Sequence, residues 1–273
     1  MLERKLIVRG VLAGAISGLL AFGFARIFAE PLIAKAIDYE TARDAAQAVL
    51  DKAAGLAVSP PGPDIFSRTI QANVGIGVGM VAFGAAIGGF YSVAYTICLG
   101  RVGNLRARSL ALLVGLVGFL AVYLVPSLKY PANPPAIGHE ETIQQRGSLY
   151  LTLTLLSVLF AIAAVYLGQR LRPRFGNWNA TLMAAGGFIV AIGVVMYVLP
   201  ALGQLAANRK EYGSFATETP QPLRNDSGTI VFPGFDADML YSFRLYSVGA
   251  QAILWAALSL LFAPQAERVL SRP

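Results

Sequence analysis

The chain has 273 residues, 56% hydrophobic and only 14% charged, where soluble domains carry about 25% charged residues. Together with a mean hydropathy of +0.59, this excludes a pair of ordinary soluble domains and points to a single membrane domain over 1–273. The formal charge of +7 resides in short arginine clusters between apolar runs, which fits membrane topology rather than a nucleic-acid surface.

The first predicted element is an apolar run over 6–29. Its basic start, MLERKLIVRG, resembles a signal peptide, but the run is long, and Arg26 and Glu30-Pro31 stand where a small-residue cleavage site belongs. A retained helix is expected. Gly10, Gly14 and Gly18 recur at four-residue spacing along it, which lets two backbones approach in lipid. The loop over 30–71 reads as helical from Leu32 to Gly55, being rich in alanine and good helix formers, and ends at Gly55 and the prolines from Pro60.

Five further runs follow, over 72–99, 109–128, 149–167, 180–202 and 240–263. Each approaches or exceeds the length of about 20 residues that crosses a bilayer. The second span repeats the glycine spacing at Gly75 and Gly79 and at Gly84 and Gly88. Cys98 falls within it, so no disulfide framework exists. The odd spans end with Pro31, YLVPSL and YVLPAL; the even spans begin near Arg68, Arg146 and Arg244. The expected fold is an all-α integral membrane protein, a bundle of six transmembrane helices with an extracytoplasmic helical loop after the first span.

Basic residues that flank spans stay on the cytoplasmic side. One face of the predicted bundle holds Arg4, Lys5 and Arg9, the clusters at 101–108 and 170–174, and Arg268 and Arg272, with Glu3 and Glu267 its only acids. The other face holds the loops 30–71, 129–148 and 203–239, where acids outnumber bases. Both termini are therefore expected inside. The connections on that face are short, so consecutive helices should pair as antiparallel neighbours. The last outer loop, polar and punctuated by proline and glycine, is expected to be the most mobile part.

Catalytic constellations are missing. A zinc helix needs a second histidine four positions after His139, where isoleucine stands, and the chain has no other histidine. No G-x-S-x-G occurs, and no lysine follows a glycine as in a phosphate-binding loop. An enzyme is not expected. The charges within the spans carry more weight, because arginine there costs energy unless it is paired or reaches the interface. Arg26 is followed four residues on by Glu30, a spacing that puts both on one helix face. Arg244 follows Asp236 and Asp238. A structural salt bridge is the plain reading of these charges; the functional one gathers Arg26, Glu30, Glu141, Arg146 and Arg244 round an outward-facing vestibule. Carboxylates, carbonyls and one histidine suit a hard or borderline divalent ion better than copper. The chain cannot supply an imidazole cluster alone. No tightly bound cofactor is expected.

Four segments together resemble the CbtA family of predicted cobalt transporter subunits along most of the chain. They are RGVLAGAISGLLAFGFARIFAEP, YLVPSLKYPANPPAIG into ETIQQRGSLYL, GNWNATL, and FRLYSVGAQAILWAAL. The central proline loop is the most specific. The resemblance implies a multi-spanning subunit of a cobalt uptake system associated with cobalamin synthesis in a bacterial inner membrane. It also implies a short single-span partner, CbtB-like, with a histidine-rich metal-binding end. Lys129, Tyr130, Pro131, Asn133, Pro134, Pro135, Gly138, Glu141, Thr142 and Arg146 are expected on the family pattern, whereas His139 is not demanded by it. The outer segment 206–234 is longer than is common in the family.

Proline fixes φ and donates no backbone hydrogen bond, so PANPP offers carbonyls outside any ladder. A stiff loop could present these, Asn133 and Glu141 to a passing Co²⁺, with Lys129 and Arg146 balancing charge. Glu141 is favoured over His139 as a metal contact; the actual ligands are not readable. The competing reading is a rigid spacer, and at the level of the whole protein a membrane scaffold that transports nothing. Partners are the bilayer and the CbtB-like subunit, with a homo-oligomer left open and no nucleic acid.

Overall fold

The computed structural model describes residues 2–57, 66–213 and 217–271. The prolines expected to stop the first outer helix, at 60–63, lie outside the described residues. The elements are α1 (Leu2–Phe28), α2 (Glu30–Ala53), α3 (Arg68–Cys98), α4 (Ala107–Lys129), α5 (Ile143–Val198), the short α6 (Ala206–Tyr212), the strands β1 (Leu223–Arg224) and β2 (Ile230–Phe232), and α7 (Ala237–Leu270). The structure is all-α but for the β1–β2 hairpin, which lies in the last long loop. Among the described residues, five helices are long and apolar enough to cross a membrane: α1, α3, α4, α7 and the run that contains α5.

The longest helix is not one rod. Pro173 lacks the amide its turn requires, and three residues later Gly176 takes φ 73° and ψ 171°, outside helical space. The chain folds back there. Gly168 on the limb 143–175 approaches Ala184 on the limb 177–198, and Leu153 packs with Ile192. The apolar spans 149–167 and 180–202 predict a short connection between them; the helix runs on through its arginines to Phe175, since Gln169, Arg170, Leu171 and Arg172 are good helix formers.

α1, α3, α4 and α7 form the tight core. α1 packs against both α3 and α7, and α7 packs in turn against α4. Lipid tails are as apolar as leucine, so burial against water does not drive this contact; close packing and satisfied polar groups do. A Cβ at Gly14 would collide with the carbonyl oxygen of Gly84, and one at Gly88 with that of Gly10. Gly75 and Gly79 meet no other helix, so only half of the expected spacing in α3 is used. A second close contact, unread in the sequence, sets Gly115 against Ser259 and Gly118 against the Trp255 ring.

The interior of this core contains Leu6, Tyr91, Tyr95, Leu254, Leu258 and Phe262. Phe262 meets both tyrosine rings edge-on at 5.1 Å. Tyr91 places its hydroxyl against the Ala111 carbonyl at 2.6 Å, and Tyr95 against that of Ala107 at 3.3 Å. Both polar tips thus find acceptors where water is excluded.

Antiparallel neighbours in sequence are only partly neighbours in space. α1 and α3 pair closely, as do the two limbs of α5, but α3 touches α4 far less than α7 does. The α5 hairpin leans on one end of α4 through Val125, Tyr130, Leu153 and Ile192, and at its turn Gln169 donates to the Arg101 carbonyl at 3.0 Å. Elsewhere it exposes Leu151, Leu155, Ile162, Ile189 and Val190, as a surface facing hydrocarbon does.

All the long loops gather at one end of the bundle, the cap end. Ala36 and Tyr39 of α2 join Ile137, Phe235 and Leu240 in a small apolar cluster there. The Tyr39 ring lies 5.0 Å from that of Phe235, its hydroxyl donates to the Pro233 carbonyl at 3.0 Å, and Arg43 donates to the Gln221 carbonyl at 2.7 Å. Burial raises the Tyr39 phenol above its usual pKa, with Arg43 opposing, so it stays a donor at neutral pH. α2 is therefore fastened across the cap rather than projecting from it. The opposite end carries the arginine-rich connections and both chain ends.

Candidate functional site

The proline loop between α4 and α5 sits at the centre of the cap. Tyr130 anchors its start, donating to the Pro200 carbonyl at 2.8 Å. Asn133, two prolines before the turn, accepts from Arg244 of α7 at 2.8 Å. Gly138 takes φ 105°, and a Cβ there would collide with the Arg146 guanidinium. Only glycine satisfies both demands. Arg146 lies under this turn, within 3.4 Å of the Ile137 carbonyl and 3.3 Å of the His139 carbonyl.

The anion facing Arg146 is Glu218, which the sequence reading missed. Its Oε1 lies 3.6 Å from Arg146 Nε and accepts from Thr142 Oγ1 at 3.1 Å and Asn208 Nδ2 at 3.3 Å. Its backbone carbonyl accepts from the Gly138 amide at 3.1 Å. The Glu218 side chain is only 4% exposed, and Oε2 makes no hydrogen bond. Nothing in the sequence separates Glu218 from the other acids of the outer loops. Its role comes from a fold that brings residues 138, 142, 146, 208 and 218 together.

A second cluster lies where α1, α2 and α3 meet. The expected Arg26–Glu30 pair does not form. α1 ends at Phe28, and Pro31 at the start of α2 interrupts the hydrogen-bond ladder, but Ala29 between them keeps helical φ and ψ, so a competing partner rather than lost spacing decides the pairing. Glu30, 6% exposed, instead forms an ion pair with Arg68 at the start of α3. Arg26 donates to Asn73 Oδ1 at 2.8 Å. Asn73 belongs to a π-helical segment, Gln71–Gly75. Asp236 does not pair with Arg244 either: its carboxylate caps α7, accepting from the amides of Asp238 and Met239.

Of the residues proposed from sequence, the structure joins Asn133 with Arg244 and sets Arg146 beneath the same loop. Arg26 and Glu30 sit together at the α1–α2 junction but with other partners. Glu141 lies exposed in a 3-10 turn, Glu140–Thr142, making no hydrogen bond or ion pair with the described residues. Lys129 ends α4, half-buried. The three arginines that open the even spans each reach an oxygen on another segment of the cap: Arg68 to Glu30, Arg146 to Glu218 and Arg244 to Asn133. Among the described residues, no group of three or more histidine, cysteine, aspartate or glutamate side chains converges as a ready metal cage.

Long apolar helices agree with what comparison finds. The family model CbtA, described as probable cobalt transporter subunit, matches residues 3–267. The chain belongs to the CbtA family. The match spans the residues of the core, the proline loop and the last helix alike. No curated protein and no solved structure matches the chain. As a CbtA-family subunit it is a helical membrane protein of cobalt transport, and a subunit implies a partner.

Proposed function

We propose that the chain is the multi-spanning subunit of a divalent-metal uptake system, carrying Co²⁺ towards cobalamin synthesis across a bacterial inner membrane. It crosses six times, because the run that contains α5 doubles back at Gly176, and both termini are cytoplasmic. The limb 143–175 alone spans about 50 Å at the helical rise of 1.5 Å per residue, enough for one full crossing with its arginines beyond the hydrocarbon. The basic end then lies inside, in keeping with the preference of arginine and lysine for that side.

The observation that carries this reading is the family match over residues 3–267. The cap adds a physical route. Glu141 stands as an exposed carboxylate at the rim, and Glu218, Asn133 and the proline-loop carbonyls lie further in. In the structure Arg146 faces Glu218 and Arg244 holds the Asn133 oxygen. A dication passing through would compete with the two guanidiniums, so the site binds weakly and transiently, as transport requires. Tight metal binding is left to a short single-span, histidine-bearing subunit of the CbtB type. The chain itself performs no catalysis.

A scaffold that assembles a partner and moves nothing is the competing reading, favoured by the pairing of Arg68, Arg146 and Arg244 with oxygens of other cap segments. Uptake of radiolabelled Co²⁺ by cells lacking their own importers separates the two. Accumulation that needs this chain together with its partner supports transport. Equal accumulation without it leaves only the scaffold.

A further inference from the structure

At the end opposite the cap, a groove of about 880 Å³ separates the start of α1 from the end of α7. We propose that this groove binds the phosphate headgroup of an anionic phospholipid. Arg4, Lys5 and Arg9 line one wall and Arg268 the other. Arg9 donates to the Gln265 carbonyl at 2.8 Å and so ties the two walls together.

The cations are uncompensated within the protein. Glu267, the acid nearest Arg268 in the chain, is drawn away to Arg108, whose Nε lies 2.6 Å from its carboxylate. Among the described residues, no ion pair involves Arg4, Lys5, Arg9 or Arg268. Arg4 and Lys5 also sit in the first turns of α1, where the helix dipole already presents positive charge and basic residues are disfavoured. An anion seated between the walls relieves both repulsions. Glu3 is exposed, does not line the groove and forms no ion pair among the described residues.

The groove is graded along its depth. Leu12 and Leu261 line it further along the helices than Arg4 and Arg268 do, by about 10 Å at the helical rise. A free phosphate has no use for that apolar floor. A phospholipid meets the cations with its phosphate and the floor with its acyl chains, at the depth where helix ends cross the headgroup layer.

Native mass spectrometry of the purified full chain tests this, with phosphatidylglycerol and phosphatidylcholine of identical acyl chains. The informative variant is Arg4→Gln/Lys5→Gln/Arg268→Gln, three exposed positions whose loss leaves the Arg9 tie intact. The control is Arg170→Gln/Arg172→Gln/Arg174→Gln at the exposed turn of α5. Phosphatidylglycerol binding should fall on the order of 100-fold in the groove variant, about fivefold per charge lost, and hold in the control. Equal retention of phosphatidylcholine by the unaltered chain, or equal loss in both variants, overturns the proposal. Displacement of the lipid by inorganic phosphate overturns it too, and assigns the groove to a free anion. A thermal midpoint unchanged in lipid-free detergent shows that each variant is folded.

Discussion

Arg244, near the start of α7, donates a hydrogen bond of 2.8 Å to Asn133 Oδ1 in the proline loop, 111 positions earlier in the chain. Two segments far apart in sequence are thereby fastened where loop meets helix. Asn133→Leu removes the acceptor and leaves a half-buried guanidinium without it, at a cost of about 1–3 kcal/mol. A lower thermal midpoint in detergent is expected. Arg244→Lys in the otherwise unaltered chain should lower it too, because a compact ammonium lacks the planar fork that reaches the amide. An unchanged midpoint for Asn133→Leu would remove the fastening from the account.

Glu218 and Arg146 give a second, graded test. Glu218→Ala leaves Arg146 facing a buried site with no anion and should destabilise by about 3–5 kcal/mol. Glu218→Gln keeps an oxygen for Thr142 and Asn208, so it should fall between that variant and the unaltered chain. Chemical or thermal unfolding in detergent reads the order. Equal effects from Gln and Ala would show that charge is irrelevant there.

The α1–α3 contact depends on backbone proximity. Gly14→Leu and Gly88→Val each drive a side chain into a carbonyl of the opposing helix, and the core cannot part locally because α1 also carries α7. We expect neither variant to accumulate as a monodisperse protein in size-exclusion chromatography. Gly79→Ala, in the same helix but open to its surroundings, should elute normally. Normal elution of all three would mean that the helices are held elsewhere.

For transport, Glu141→Gln should abolish most Co²⁺ accumulation, while His139→Ala should leave it near the unaltered rate. His139 offers its backbone carbonyl to Arg146 and Thr142, and alanine supplies the same carbonyl. The reverse pattern would move the metal contact to the imidazole.

Topology can be read with single cysteines in a Cys98→Ala background. A cysteine at the exposed Ser227 should react with an impermeant maleimide in intact cells. One at the exposed Asn177, beside the α5 turn, should react only after permeabilisation. Labelling of both from outside would deny the fold-back a second crossing.

Much of the fold was legible before any coordinates. The apolar runs located every long helix, and alanine-rich composition located α2, because both signals are local sums over a single segment. Gly10, Gly14 and Gly18 announced a close helix contact for the same reason. The partner glycines were not fixed by spacing: Gly84 and Gly88 meet α1, while Gly75 and Gly79, with the same period, meet no other helix. Helix spacing also misled at Arg26 and Glu30, since Arg68, 38 positions further along the chain, takes Glu30.

Sequence alone determined that this chain lives in lipid, where its apolar segments lie and which end carries the positive charge, because transfer from water depends on composition within one stretch. Only the tertiary structure decided which oxygen meets which arginine. Glu218 pairs with Arg146, Glu30 with Arg68, and Asn133 with Arg244, because a buried cation takes whatever oxygen the packing of distant segments brings within a few ångströms, and no local pattern encodes that distance.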